Sequence, residues 1–471
     1  MFSLLHDLKA ILPEISLVSG ILMMPLFLLV KNRRNEITTV FMILFFLLNL
    51  VLSITAGKNE SSLFSNQLVI TESGINGRLI LALAGCLIIL FFNSYFLIKS
   101  QIEYFVFALS LQLGSQLTLI SGHAISLILA IELMSISSYA LSGFLFSGIS
   151  SESGIKFFLH GSFATAILVF GFSWVYGQTG ALSLAGISDL IHSGPVPGTL
   201  AFTGLLLILA ALTFKITAAP MHWWAPDVFQ AAPYPVITFF STIPKISVVL
   251  LLARLSGNGH SGQQNMTWLI IIATLAILTL LAGNFPALRQ TNAKRLLGYS
   301  SVGQAGFLLT GLCVAPVQMN QVLQYYALAM IMGITLVTYC LNRFEQDYKA
   351  VDISEFSGLG KSTLLLSAGM TIGFLSLTGL PPFAGFTAKF FVFTALGSNQ
   401  SDLSVLPIVL LIFGIVNTVV ALFYYIRIPL RLFLYEKEKN SAVRVNSITD
   451  YLVIVGLSLA LVILFLIPDR F

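Results

Sequence analysis

Charge is what this chain most lacks. Of its 471 residues only 9% are Asp, Glu, Lys or Arg, while 57% are hydrophobic; an ordinary soluble domain carries about a quarter charged residues. So few charges cannot cover a water-facing surface, which excludes a soluble globular protein and predicts a polytopic membrane protein. Cysteine is scarce too. Cys86, Cys313 and Cys340 stand alone in apolar runs with no partner at metal-ligand or redox spacing, and are expected as core residues. The six histidines (His6, His123, His160, His192, His222 and His260) form no pair at i, i+3 or i, i+4, so no metal site is expected. In "FSGLGKST" at 356–363 a phosphate loop would need glycine where Glu355 stands. That segment is instead read as a cytoplasmic connection, with Ser362 or Thr363 capping the next helix. No nucleotide, flavin, haem or iron–sulfur signature occurs, so no cofactor is expected in this chain, and the net charge of +5 is assigned to loop bias rather than to a nucleic-acid surface.

What is present is apolar length. The hydrocarbon core needs about 20 apolar residues per helix, and fourteen spans follow: 12–30, 37–55, 78–97, 104–122, 123–145, 155–176, 198–219, 235–255, 266–286, 298–316, 321–342, 363–397, 404–428 and 448–467. Continuous runs without strict alternation favour helices over a lipid-facing barrel. No small-residue cleavage site follows the first run, so it is expected to be kept as a helix. If the loop at 31–36 is cytoplasmic, sixteen basic residues share its side: Lys31, Arg33, Arg34, Lys99, Lys156, Arg289, Lys294, Arg295, Arg343, Lys349, Lys361, Arg427, Arg431, Lys437, Lys439 and Arg444. Lys9, Lys58, Arg78, Arg254 and Arg470 fall on the other, which places both termini on the non-cytoplasmic side.

Three lysines, Lys215, Lys245 and Lys389, remain inside spans, together with the acid Glu132. A charge at membrane depth costs about 2.5–3.5 kcal/mol on insertion scales, so such groups are functional candidates by default, against the plain alternative of a charge that only ties helices together. Burial favours a neutral amine and a neighbouring carboxylate favours a charged one, so a buried lysine with a movable acidic neighbour can gain and lose a proton. Lys215 and Lys389 each adjoin a backbone break, "KITAAP" at 215–220 and "LPPFAGFTAK" at 380–389. Proline removes a backbone donor, and the carbonyls it frees are tolerated in a membrane only where protein or water satisfies them. Residues 363–397 as one helix would reach about 52 Å at 1.5 Å per residue, so Pro381 and Pro382 are expected to divide them. The broken elements are the seventh and twelfth spans, which predicts inverted repeats of five helices, 104–255 and 266–428, between helices 1–3 (1–103) and a C-terminal loop and helix (429–471). His222 is a possible relay residue. Trp223 and Trp224 also suit an interfacial belt, and Asp227 a helix cap. His160 is either a relay or a satisfied core histidine, and Ser135, Ser137, Ser138 and Tyr139 need only local bonds.

Three stretches, "FKITAAPMHWWAPDVFQAAPYPVITFFSTIPK", "RQTNAKRLLGYSSVGQAGFLLTGL" and "LTGLPPFAGFTAKFFVF", resemble the antiporter-like membrane subunits of respiratory complex I, most densely over 123–430. "APDV" at 225–228 and the proline before Lys245 resemble the N-type branch rather than the L or M type. The resemblance implies an all-α membrane subunit that pumps protons while NADH, FMN, iron–sulfur clusters and quinone are held by partner subunits. It implies membrane-arm partners of L and M type and a multi-pass place in the bacterial inner membrane. Family roles fall on Glu132 and Lys215 as a carboxylate–amine pair, Lys245 as the next relay and Lys389 as the residue of the second half-channel. Gln230 and Ala231 stand where the family usually has Glu-Gly, and Gln304 where it often has His. A subunit of a sodium or potassium/proton antiporter is the alternative, and a non-pumping scaffold a third reading.

Overall fold

A computed structural model describes residues 7–29, 34–56, 60–91, 101–144, 148–192, 198–257, 265–398, 405–436 and 447–468. Of the residues used above, Lys31, Arg33, Lys58, Lys99, Lys437, Lys439, Arg444, Arg470, His6 and His260 lie outside the described residues. The chain is helical nearly throughout. It passes through α1 (Leu12–Met23), a 3₁₀ turn (Met24–Leu29), α2 (Arg34–Thr55), α3 (Glu72–Phe91), α4 (Gln101–Ile120), α5 (Ala124–Ser142), α6 (Gly148–Thr179) and α7 (Leu184–His192). Then come α8 (Thr199–Lys215), α9 (Trp224–Ala231), α10 (Tyr234–Gly257), α11 (Met266–Ala287), α12 (Ala293–Gly311) and α13 (Pro316–Tyr348). A 3₁₀ turn (Ile353–Phe356), α14 (Leu364–Thr378), α15 (Ala384–Gly397), α16 (Val405–Tyr425), α17 (Arg427–Leu434) and α18 (Ile448–Leu466) complete it.

Nine helices among the described residues are long and apolar enough to cross a membrane, so the chain is a multi-pass α-helical membrane protein. Helices α1, α8, α14 and α15 are shorter apolar segments. Neither α4 nor α12 joins these groups, and the reason is polar content turned inward: Gln112, Ser115, Gln116 and Thr118 in α4, and Ser300, Ser301, Gln304 and Thr310 in α12, are all buried. The first run is regular helix only to Met23 and tightens beyond it. The short helices α7 and α9 lie where no span was expected, as does a hairpin pairing Ser61–Leu63 with Leu68–Ile70.

The described chain forms two compact units, Met1–Ile216 with Ile243–Trp268, and Thr217–Thr242 with Leu269–Phe471. In the first, Arg78, the first residue of the span read as 78–97, is buried. Its guanidinium is 3.4 Å from the buried carboxylate of Glu14 and donates to the carbonyl of Ala10 at 3.1 Å. Arg254 is likewise interior, donating to the carbonyls of Leu119 and Ser121. Both charges are tolerated there because carboxylate or helix-end oxygens meet them. In the second unit Asp450, fully buried, accepts from Arg343 Nε at 2.9 Å and from the Tyr339 hydroxyl at 2.7 Å, pinning α18 to α13. Cys86, Cys313 and Cys340 are all buried.

Candidate proton-relay sites

In the first unit the candidate groups gather where α5, α6 and α8 meet. Glu132, Ser135 and Tyr139 are spaced i, i+3, i+7 along α5 and so share one face. Helix α8 ends at Lys215, whose ammonium donates to Ser135 Oγ at 2.5 Å and to the Tyr139 hydroxyl at 3.1 Å, with the rings of Phe214 and Tyr139 at 5.3 and 5.4 Å. Ser135 in turn donates to the carbonyl of Ile131, leaving its lone pair to the amine. The Glu132 carboxylate accepts from Thr165 Oγ1 of α6 at 2.5 Å. Among the described residues no ion pair within 4.0 Å joins Glu132 to Lys215; two hydroxyls stand beside the amine instead. Ser135 and Tyr139, expected only to bond locally, are therefore its direct ligands. Lys245, one residue past the in-helix Pro244, is wholly buried.

The backbone explains why Lys215 stands where it does. Thr217 adopts φ 62°, outside the right-handed helical region, so α8 ends just after its lysine; the Ala219–Pro220 bond is cis. His222 follows, stacked on Trp223 at 5.1 Å, with Nδ1 buried and without a hydrogen-bond partner among the described residues. Trp223 is 75% exposed but Trp224 is buried, so a belt role suits only the first. Asp227 lies in the first turn of α9, whose cap position is Trp223; its carboxylate pairs with Arg295 of α12 at 2.5 Å, and Gln230 accepts from the same guanidinium at 3.0 Å. His160 is neither core nor buried relay; it is exposed and bonded to the carbonyl of Lys156 in its own helix. Thr363 occupies the cap position of α14 without a capping bond, its hydroxyl donating to Leu359 O instead.

In the second unit the break between α14 and α15 supplies the site. Gly379 ends α14 in the left-handed region, φ 90°, which favours glycine, and Pro381–Pro382 is cis. Two carbonyls at the end of α14 then meet side chains. Lys389 donates to Thr378 O at 2.7 Å, and Gln304 Nε2 donates to Leu377 O at 3.1 Å. The Lys389 ammonium also lies 4.1 Å over the Phe307 ring and the residue is 4% exposed. Gln304 accepts from the Tyr326 hydroxyl at 2.6 Å, and Tyr425 meets Ser300 at 2.5 Å. A cavity of about 10 Å³, lined in part by Gln304, Tyr326, Ser376, Gly385 and Lys389, leaves room for about one water. An amide at 304 both donates and accepts there, as a chain of hydrogen bonds requires.

No group of three or more His, Cys, Asp or Glu that could hold a metal occurs among the described residues. Comparison with known proteins gives the family and the fold. The family described as "NADH:quinone oxidoreductase/Mrp antiporter, TM" matches residues 121–420. NADH-quinone oxidoreductase subunit N of Paramagnetospirillum magneticum is 32% identical over 432 residues, covering 90% of this chain and 87% of that protein. A chain of respiratory complex I from Thermus thermophilus is 25% identical with a TM-score of 0.80, covering 97% of each chain. A chain of the Mrp complex from Dietzia shares the fold at TM-score 0.83, with 17% identity over 99% of this chain and 95% of that one.

Proposed function

We propose that this chain, which belongs to the NADH:quinone oxidoreductase/Mrp antiporter membrane-subunit family and within it resembles subunit N, translocates protons in the membrane arm of a bacterial NADH:quinone oxidoreductase. Electron transfer from NADH through FMN and iron–sulfur clusters to quinone belongs to partner subunits, and L- and M-type subunits are its membrane neighbours. It is a multi-pass protein of the inner membrane with both termini on the non-cytoplasmic side. Fourteen spans, with five-helix inverted repeats at 104–255 and 266–428 each carrying one broken helix, remain the reading of its organisation.

Glu132, Lys215, Lys245 and Lys389 carry the proton, with His222 a possible further relay. Approach of the Glu132 carboxylate to Lys215 holds the proton on the amine, and withdrawal releases it toward Lys245 and then Lys389, since an opposite charge nearby favours the ammonium. The observation that supports this best is the coordination of Lys215. Its ligands are two neutral hydroxyls on the same face as Glu132, an arrangement from which a side-chain rotation can make or unmake an ion pair.

The test uses inside-out vesicles holding the assembled complex. Lys215→Ala and Lys245→Ala are each expected to abolish NADH-driven acidification while the complex still assembles. Full pumping by both assembled variants overturns the proposal in favour of a scaffold. Proton exchange stimulated by sodium or potassium without NADH would support the antiporter alternative, for which the likeness to the Dietzia chain supplies fold alone.

A further inference from the structure

A second polar system, on residues other than those that hold Lys389 and Gln304, lies in the unit formed by Thr217–Thr242 with Leu269–Phe471. Along α13, Thr335, Thr338, Asn342 and Glu345 are spaced 3, 4 and 3 residues apart and share one face. Thr335, Thr338 and Asn342 are buried. Along the first turns of α10, Tyr234, Thr238 and Thr242 recur every four residues, all at 0% exposure. The two stripes join at two points. Thr238 Oγ1 donates to Thr338 Oγ1 at 2.8 Å. Near the ends of the helices, Lys294 of α12 pairs with Glu345 at 2.9 Å and stands 4.8 Å over the Tyr234 ring. The Glu345 side chain keeps 32% exposure, whereas every hydroxyl named beyond it is sealed.

Tyr234 Oη and Thr335 Oγ1 are buried without a hydrogen bond among the described residues. A hydroxyl left unpaired in an apolar interior costs about 1–3 kcal/mol on protein mutational scales, a cost that water would remove, since it bonds 2–4 polar groups where it is buried. Water between hydroxyls conducts protons by exchanging bonds, without any group having to cross the gap.

We infer that Glu345, paired with Lys294, is the mouth of a hydrated proton inlet, and that Tyr234, Thr238, Thr338 and Thr335 form its wall. Lys294 holds the carboxylate in place at rest, Glu345 takes a proton from the aqueous side when that pair opens, and the hydroxyl column passes the proton inward. The inference rests on the proton-translocating reading above and adds its point of entry.

The experiment compares Glu345→Gln, Tyr234→Phe and the near-isosteric Thr338→Val with Lys245→Ala, all in the assembled complex in inside-out vesicles. Glu345→Gln is expected to slow NADH-driven proton uptake about tenfold, with Glu345→Asp restoring most of it. Tyr234→Phe and Thr338→Val are expected to slow uptake several-fold at unchanged complex content. A cryo-EM map of the complex at a resolution that shows water should place ordered water against Tyr234 Oη and Thr335 Oγ1. Normal uptake in all three inlet variants, alongside loss in Lys245→Ala, overturns the inlet and leaves the translocation reading standing. Normal uptake in Lys245→Ala removes the reading itself. If Glu345→Gln fails to assemble, the two hydroxyl variants and the water map decide, and a dry, unbroken packing at both hydroxyls overturns the inlet.

Discussion

Lys215 and Lys389 end similar stories in different ways. Both adjoin a backbone break with a cis proline, and both lie in apolar helices, yet their ligands differ in kind. Lys215 is held by two side-chain hydroxyls, from Ser135 and Tyr139, on the helix that also bears Glu132. Lys389 is held by the backbone carbonyl of Thr378 and an aromatic face. Side chains rotate within one helix, whereas a helix-end carbonyl moves only with its helix. In the relay proposed above, the first lysine is the one that changes partners and the second the one that receives a proton at a fixed place.

Removing either amine tests the claim that each carries a proton, and has the largest expected effect. Lys215→Met and Lys389→Met should each cut NADH-driven proton pumping by more than tenfold, about 1.4 kcal/mol or more of barrier, in vesicles where immunoblots show normal complex content. Pumping that survives in one but not the other would confine the relay to a single unit. The stability of the two variants should diverge. Lys215→Met leaves two hydroxyls able to bond locally, while Lys389→Met leaves the Thr378 carbonyl, freed by the break, without its donor, so the second should melt at the lower temperature.

Steric crowding sharpens the same contrast at a smaller scale. A methyl group at Gly161 would run into the hydroxyl and the adjoining ring carbons of Tyr139, so Gly161→Ala must displace a ligand of Lys215. Pumping should fall several-fold, and Tyr139→Ala, which removes the whole ring, should make the added methyl less harmful, a coupling that a double-mutant cycle reads directly. A methyl at Gly379 would lie 2.8 Å from Lys389 Cδ and would also sit at φ 90°, costing about 1–2 kcal/mol of backbone strain for a non-glycine residue. Gly379→Ala should therefore lower the melting temperature more than Gly161→Ala, and no change at Lys389 itself should relieve the backbone part.

Much of this frame was legible in the sequence because composition and proline speak locally. The break at 380–382 was visible from a run too long for one bilayer crossing and from Pro381-Pro382, and the structure divides it into α14 and α15. The lysines stood out because few charges compete with them. What was hidden depends on distant partners. Ser135 and Tyr139 become ligands only when α8 arrives from about eighty residues away, although their i+3 and i+7 spacing from Glu132 was there to be read. Arg78 looked like an end-of-span charge, and nothing local announced that Glu14, sixty-four positions earlier, would meet it. Asp227 at a helix start invited a capping role, yet the guanidinium of Arg295 outbids a single cap bond, since charge-assisted hydrogen bonds are the stronger kind.

The smallest expected effect concerns the aromatic face beneath Lys389. Ser135→Ala removes one hydrogen bond to a charged group, worth about 1.5–3 kcal/mol, and should slow pumping clearly. Phe307→Leu keeps the Thr378 bond and most of the apolar volume, and removes only a cation–π contact of about 0.5–2 kcal/mol. If Lys389 is held mainly by the backbone, Phe307→Leu should change the pumping rate by less than about threefold, below the effect of Ser135→Ala. Paired initial-rate measurements in vesicles of matched complex content decide it. A larger loss from Phe307→Leu would mean that the ring, a side chain free to turn, is the real ligand, and the contrast between a switching lysine and a fixed one would collapse.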